Sequence, residues 1–462
     1  MAQELIITVS GLRGIIGENL TPAVAADYGC AFAAFLNAGR TNGKQKLSVC
    51  IGQDSRPSGL MLEAAITAGL TASGIDVIDL GVVTTPGVGI MVKHLNCAGG
   101  IVITASHNPP EYNGIKLLLA NGMAPPSDAA EKIKSIFLAR SFTLANALNC
   151  GTVAPNVHTD AIHIAKVLQV VDKDSIDAKK FKVVLDSVNG AGGRAGQKLL
   201  TALGCKIEAI NTEPTGIFAH KPEPLAENLT ALCEAVRKEK AHIGFAQDPD
   251  GDRLAIVDEN GDYIGEEYTL ALAAYYVLSK KAGTVATNLS TSRMIDDVAQ
   301  KTGSTVIRTP VGEANVASAM LEHNCVIGGE GNGGIIDLRV GPVRDSILAI
   351  ALVLQLMAET GKTVSQLVSE IGRYSMVKGK FAADKQLAEK ILDAAKKHFA
   401  DAKLDTTDGC RFDFPDGWLH LRISNTEPIM RAIVEAKDQP TVQKYLDAVM
   451  NIRRQLTPDK SI

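Results

Sequence analysis

The chain has 462 residues, of which 46% are hydrophobic, 21% charged and 4% aromatic. That length accommodates roughly three domains at about 150 residues each, or four smaller ones. Its 47 basic and 51 acidic residues leave a net charge of −4, which excludes the basic excess of a general nucleic-acid binder; the scarcity of aromatics argues against a stacking platform for single strands, and small charged metabolites remain as partners.

The N-terminus lacks the basic stretch and long apolar core of a signal peptide. The first repeat unit follows: an apolar, β-branched strand at 46–51, a loop at 52–59, an Ala-rich helix stopping at Ser73-Gly74, and a second strand at 75–80. The scheme recurs at 181–210, with the loop 186–193 and a helix stopping at Leu203-Gly204, and again at 283–308, with a helix stopping at Thr302-Gly303. Strand, helix, glycine stop and strand is a βαβ unit, which implies a parallel sheet covered by helices. Each copy is followed by a short apolar run, at 100–104, 243–246 and 326–327, and each run delivers a distinctive loop. Ligands bind at such carboxyl ends of strands in α/β folds, so three loops from three domains can converge on one cleft. The apolar helix at 347–358 is too short to span a bilayer and is interrupted by Gln355. Beyond Gly372 come two helices, 386–400 and 441–456, flanking apolar strands at 418–423 and 430–435, an α+β pattern with an antiparallel sheet. The fold class is therefore α/β: three similar domains with mixed, mostly parallel sheets at 1–152, 153–258 and 259–370, and an α+β domain at 371–462, around a central cleft. Linkers are expected at 150–158, 258–262 and around Gly372. Eight scattered cysteines without a CxxC pair read as small buried hydrophobes, reduced in a cytosol. The expectation is a cytoplasmic protein with no membrane or nucleic-acid partner, a monomer or homodimer.

Three loops carry candidate chemistry. Asp248-Pro-Asp-Gly-Asp-Arg253 places carboxylates at i, i+2 and i+4, a hard oxygen site for a magnesium-like ion, since one-sided carboxylates repel unless a cation offsets them. An EF-hand loop does not fit, because Arg253 stands where its glycine belongs. Ser106-His107-Asn108-Pro109 offers a hydroxyl on a tight turn without the GxSxG surround of a hydrolase; near a magnesium site, a serine can instead carry a phosphoryl group. Arg422-Ile-Ser-Asn-Thr426, with Arg431 beyond, gathers guanidinium, hydroxyl and amide groups suited to a phosphate. A dinucleotide alternative rests on Gly190-Ala-Gly-Gly-Arg-Ala195, where the first glycine comes late after its strand, and on Gly329-Glu-Gly-Asn-Gly-Gly334, which strand-like residues follow.

Taken together and in order, the loops Thr104-Ala-Ser-His-Asn-Pro109, Asp248 to Arg253, Gly329 to Gly334 and Arg422-Ile-Ser-Asn-Thr-Glu-Pro428 resemble those of the α-D-phosphohexomutase superfamily across essentially the whole chain. Ser10-Gly-Leu-Arg-Gly14 and Asn113-Gly-Ile-Lys116 also match its pattern. The resemblance implies that Ser106 is a phosphoserine and that, with Asp248, Asp250 and Asp252, it binds Mg²⁺. It also implies that Arg253 offsets charge on the transferring group, with Arg13, His107 and Lys116 positioning or doing acid–base work. The sugar would meet Glu330, Asn332 and Gly312, and its phosphate Arg422, Ser424, Asn425, Thr426 and Arg431. The expected reaction interconverts hexose 6- and 1-phosphates through a sugar bisphosphate, with glucosamine phosphate as the expected substrate and glucose or mannose phosphates as the alternative. The sugar loop departs from many members, which carry a serine and a histidine in a GExSGH pattern; here Asn332 and Gly334 stand there. An NAD-dependent oxidoreductase and a non-catalytic sugar-phosphate binder are the readings outside this class.

Overall fold

The computed structural model describes residues 5–8, 11–39, 46–423 and 428–457. The first unit is a seven-stranded sheet. Its parallel part holds Val153–Pro155, Asp76–Val82, Ser48–Gln53 and Gly99–Ile103, and antiparallel pairing then adds Tyr112–Leu119, Gly11–Ile15 and Ile6–Thr8. The segment 150–158, expected as a linker, thus supplies an edge strand to this sheet, because Val77 to Asp79 present backbone groups that need a partner.

The second and third units repeat one plan with four strands each. In the second, Lys206–Ile210, Lys182–Asp186 and Ile243–Gln247 run parallel and Leu254–Val257 runs antiparallel. In the third, Thr305–Thr309, Thr284–Asn288 and Ile327–Glu330 are parallel, with Gly334–Ile336 antiparallel. The predicted βαβ repeats are all present, with helices Gly59–Ala72, Gly192–Ala202 and Met294–Lys301 as the crossovers. The segment 258–262 is a tight turn, with Asp258 Oδ1 accepting from the backbone N–H of Asn260 and Asp262.

The fourth unit is α+β. Five antiparallel strands lie in the order Ser375–Ala382, Ile429–Ala436, Gly417–Ile423, Cys410–Asp413 and Lys403–Asp405. Helices Lys385–His398 and Gln439–Leu456 bury Ala388, Ile391, Val442 and Val449 in one cluster with Leu419, Leu421 and Val434.

This topology puts three loops, those carrying Ser106, the aspartates and the sugar-loop glycines, at equivalent places. In each of the first three sheets, the last parallel strand reverses into an antiparallel neighbour, and the reversal is the loop: 104–111, 248–253 and 331–333. The second and third units share one core, running from Val183 and Phe245 through Leu270 to Ile350 and Leu367. Among the described residues, no single helix is long and apolar enough to cross a membrane.

Candidate active site

Ser106 lies in the first reversal with φ 49°, a left-handed conformation that a non-glycine residue adopts only under local constraint. The constraint is Arg56. All five of its guanidinium N–H donors are used: Nε meets Asp54 at 3.1 Å, and the two terminal nitrogens donate to the carbonyls of Pro109, Tyr112, Ser106 and Asn108 at 2.7–2.9 Å. Thr104 completes the frame, accepting from the Ser106 N–H at 2.8 Å and donating to Asp54 at 2.6 Å. The serine is thereby buried and aimed at the second unit, where its Oγ donates to Asp248 Oδ2 at 2.9 Å.

Asp248, Asp250 and Asp252 are fully buried, and each offers an oxygen within 4.8 Å of the others. Asp248 Oδ1 accepts from the backbone N–H groups of Asp252 and Arg253, both at 3.1 Å, which fixes the loop. Asp250 Oδ2 accepts from Thr85 Oγ1 at 2.6 Å and Lys116 Nζ at 2.7 Å. Asp250 Oδ1 and Asp252 Oδ1 are buried without a hydrogen-bond partner. Orphaned carboxylate oxygens are costly in such a place, and hard oxygens beside a serine hydroxyl are the donor set a divalent cation takes. The residues therefore fit a metal.

The electrostatics agree. Burial pushes the Asp248 carboxyl well above its usual range, reinforced by Asp252 and Asp250. Burial would raise Asp250 too, but the Lys116 ammonium overrides it and holds the carboxyl below its ordinary value. Lys116 is opposed by burial yet keeps its proton more firmly than usual because Asp250 and Asp252 face it. His107 Nδ1 is 3.2 Å from Ser106 Oγ; burial, then Arg253 and Arg13, push its pKa down to about 2, so the imidazole is neutral near pH 7. Arg13 donates to Asn108 Oδ1 at 3.1 Å, on the strand register that faces Gly114. Arg253 Nε is buried without a hydrogen-bond partner, 3.8 Å from Asp252 Oδ1.

From this centre a run of contacts leads outward. Arg344 joins Asp252 Oδ2 to Glu330 Oε2, at 2.6 Å each. Glu330 Oε1 accepts from Asn288 Nδ2 at 2.7 Å and the Gly312 N–H at 3.1 Å. The adjacent Val311 N–H donates to Asp408 Oδ2 at 3.0 Å, and that same oxygen lies 3.7 Å from Arg422 Nε. Asn332 Oδ1 is buried without a partner beside this path. Arg422 sits directly opposite Arg431, and Arg431 directly opposite Lys380, on three adjacent strands. Like charges in register repel, so this row of cations is suited to an anion. Ser424, Asn425 and Thr426 lie outside the described residues.

The structure thus brings Ser106, His107, Lys116, Arg13, Arg253 and the three aspartates into one group, with Glu330 and Gly312 in a second group joined to it. Arg56, Thr85, Arg344, Asp408 and Lys380 were not anticipated. Arg56 belongs to the 52–59 loop of the first repeat, so its place at a strand's carboxyl end was the available signal. The glycines of 190–195 serve packing: a Cβ on Gly190 would lie 2.6 Å from the Pro249 backbone, and one on Gly193 2.1 Å from Thr212 O. Close packing, on the acidic loop at Gly190 and on Thr212 at Gly193, therefore requires glycine at both positions.

Three mixed α/β units and an antiparallel fourth, with a serine, an acidic triad and a sugar-type loop linked in series, define a phosphosugar mutase. Family models match in chain order: phosphoglucomutase/phosphomannomutase alpha/beta/alpha domains I, II and III over residues 5–144, 161–261 and 265–374, and the C-terminal domain over 376–452. A phosphoglucomutase/phosphomannomutase of Thermococcus kodakarensis is 40% identical over 95% of this chain and 96% of its own length. A probable phosphoglucosamine mutase of Methanopyrus kandleri is 36% identical over 96% and 97%. Among solved structures, a family protein of Burkholderia thailandensis superposes with a TM-score of 0.85 at 27% identity, over 99% of both chains. The chain belongs to the phosphoglucomutase/phosphomannomutase family, and it is a phosphohexomutase, an isomerase that works by intramolecular phosphoryl transfer.

Proposed function

We propose that the enzyme interconverts hexose 6- and 1-phosphates through a phosphoserine at Ser106, with Mg²⁺ held by Ser106, Asp248, Asp250 and Asp252, and with glucosamine phosphate as its preferred sugar. The carrying observation is Ser106 Oγ at 2.9 Å from Asp248, beside two buried carboxylate oxygens that lack partners. Mg²⁺ held by these residues would supply positive charge to offset that developing on the transferring phosphoryl group. Arg253, with its buried, unpartnered Nε, and Lys116 line the same place and add fixed positive charge.

In the forward step, the bond from Ser106 Oγ to phosphorus breaks as the free hydroxyl of the sugar monophosphate bonds to phosphorus. The hydroxyl's proton must end on Oγ, and neutral His107, 3.2 Å from that oxygen, is positioned to relay it. The bisphosphorylated sugar must then turn over within the cleft, after which Ser106 Oγ bonds to the phosphorus of its other phosphate as the sugar oxygen leaves and takes the serine proton. In each orientation Glu330, Asn332 and Gly312 hold the sugar. Arg422, Arg431 and Lys380, with Ser424, Asn425 and Thr426, hold the phosphate that is not reacting.

The amino-sugar preference is supported by relatives 33–36% identical that are named probable phosphoglucosamine mutases. A second reading, glucose or mannose phosphate, is favoured by the 40% identical relative and by Arg344, whose guanidinium lies on Glu330 where an ammonium would otherwise bind. The test is the ratio of kcat/KM for glucosamine, glucose and mannose phosphates, with Mg²⁺ and a trace of sugar bisphosphate. A preference for glucosamine supports the first reading and a preference for glucose or mannose the second. The intact mass of the protein after incubation with bisphosphate should rise by one phosphoryl group. An enzyme that turns over without that species would refute the phosphoserine.

A further inference from the structure

Arg344 links the sugar loop, the acidic loop and the helix Glu313–Glu322 through three carboxylates. It stands just before the helix Ser346–Thr360, with a side chain only 11% exposed. Nη1 donates to Glu330 at 2.6 Å, Nη2 to Asp252 at 2.6 Å, and Nε is 2.9 Å from Glu313 Oε2. Glu330 ends the strand Ile327–Glu330 at the sugar loop, Asp252 lies in the acidic loop, and Glu313 opens the helix Glu313–Glu322. Burying three carboxylates so close together requires a compensating charge; a rigid planar fork meets Glu330 and Asp252 on separate nitrogens, where an ammonium offers its three donors from one atom, and Nε faces Glu313 as an ion pair without a hydrogen bond.

The stem of Arg344 also fills the space over Gly334. A Cβ at residue 334 would lie 2.2 Å from Arg344 Cδ, 2.8 Å from Cγ and 3.1 Å from Cβ. Gly334 and Arg344 are thus a matched pair: the glycine is there because the arginine is. Engagement by Arg344 also fixes which oxygens remain. It occupies Asp252 Oδ2 and leaves Oδ1 unpartnered toward the acidic group; it occupies one side of Glu330 Oε2 and leaves a lone pair for a sugar hydroxyl.

We propose that Arg344 is a substrate-positioning residue of the mutase reaction, locking the sugar loop to the acidic loop in the space that Gly334 leaves open. The inference rests on the phosphohexomutase reading of this site. Through Arg344, a sugar seated on Glu330 is held in register with the aspartates that face Ser106. Displacement of reacting groups by about 1 Å can cost roughly 100-fold in rate.

The experiment compares wild type, Arg344→Lys, Arg344→Ala, Gly334→Ala and Gly334→Ala/Arg344→Ala in the full-length enzyme. It measures kcat and KM with glucose 6-phosphate and glucosamine 6-phosphate, and titrates glucose 6-phosphate and Mg²⁺ calorimetrically. Arg344→Lys should lower kcat/KM about 100-fold, with KM raised and calorimetric sugar-phosphate affinity weakened in parallel. Gly334→Ala keeps every charge but displaces the arginine stem, so it should reproduce that loss; added to Arg344→Ala, it should cost nothing further. Wild-type KM and kcat in Arg344→Lys, or additive losses in the double variant, would overturn the proposal. Should Arg344→Ala fail to fold, Gly334→Ala decides alone: unchanged KM and sugar-phosphate affinity there overturn it. A wild type inactive on every hexose phosphate would instead sink the underlying function, and the two failures are distinct.

Discussion

Arg56→Lys tests whether the serine turn is held by one guanidinium. Arg56 spends all five of its N–H donors, one on Asp54 and four on the carbonyls of 106, 108, 109 and 112. Lysine has three donors on a point charge, so at least two acceptors lose their partners. An unpaired buried acceptor costs about 1–3 kcal/mol, and three of the four carbonyls are only part-buried, so the loss lies at the low end, about 2 kcal/mol in all. A unit of this size loses roughly 2–4 °C of Tm per kcal/mol, which puts the shift near 4–8 °C. The same change releases Ser106 from φ 49°, and a misplaced nucleophile should lower kcat about 100-fold. Differential scanning calorimetry and steady-state kinetics on the same preparation check both. A variant with unchanged Tm and unchanged kcat would refute the assignment, and an unchanged Tm with reduced kcat would show that Arg56 acts only on the serine's position.

Ser106→Ala should abolish mutase turnover while leaving sugar-phosphate binding by calorimetry within about threefold, since the serine contributes the phosphoryl carrier and not the sugar contacts. Asp250→Asn removes one carboxylate facing the metal site, so the Mg²⁺ concentration for half-maximal rate should rise at least about tenfold; equal Mg²⁺ dependence would reduce the loop to a turn. His107 has a folded pKa of about 2 against an ordinary 6.5. The unfolded chain therefore binds its proton first, and the folded state loses stability as pH falls from about 6.5 toward 2. His107→Asn should flatten that slope in denaturant midpoints measured between pH 4 and 7, and an unaltered slope would refute the depressed pKa.

The fold was legible because its signals are local. Three strand–helix–glycine–strand patterns announce three parallel sheets, and the strands that follow each deliver a loop. Ser106 and the aspartates were likewise legible, because 104–109 and 248–253 are continuous in sequence. What stayed hidden depends on register and packing. Lys380 joins Arg422 and Arg431 only through the pairing of strands that begin at 375, 417 and 429. Arg344 precedes an apolar run and carries no motif of its own, so its three partners at 252, 313 and 330 become visible only when two units share a core. The strand Val153–Pro155 escaped because an exposed edge strand has no burial pattern to betray it.

The helix Ser346–Thr360 shows how an apolar segment supports a charged site. Residues 346–358 are all buried, including Ile347, Leu348, Ile350, Leu352, Val353, Leu354, Leu356 and Met357. At about 1.5–3 kcal/mol for each of these eight side chains, their burial contributes about 12–24 kcal/mol before conformational entropy is counted. Of three consecutive residues at its start, Arg344 and Ser346 anchor parts of the site and Asp345 anchors the helix itself. Arg344 holds Asp252 and Glu330. Asp345 caps the helix through the N–H groups of Ile347 and Leu348 and meets His163 at 2.6 Å. Ser346 donates to Gly251 O within the acidic loop at 2.7 Å and accepts from Gln247, just before that loop, at 2.8 Å. Desolvating one arginine and several carboxylates costs several kcal/mol per ion even after relaxation. Only a large apolar gain nearby offsets that, and here the gain and the cost meet at one helix terminus. The acidic loop and the sugar loop are consequently fixed by the same core, so the separation between Ser106 and a sugar seated on Glu330 is set by how the first unit docks against that core through Thr85, Lys116 and Ser106 itself.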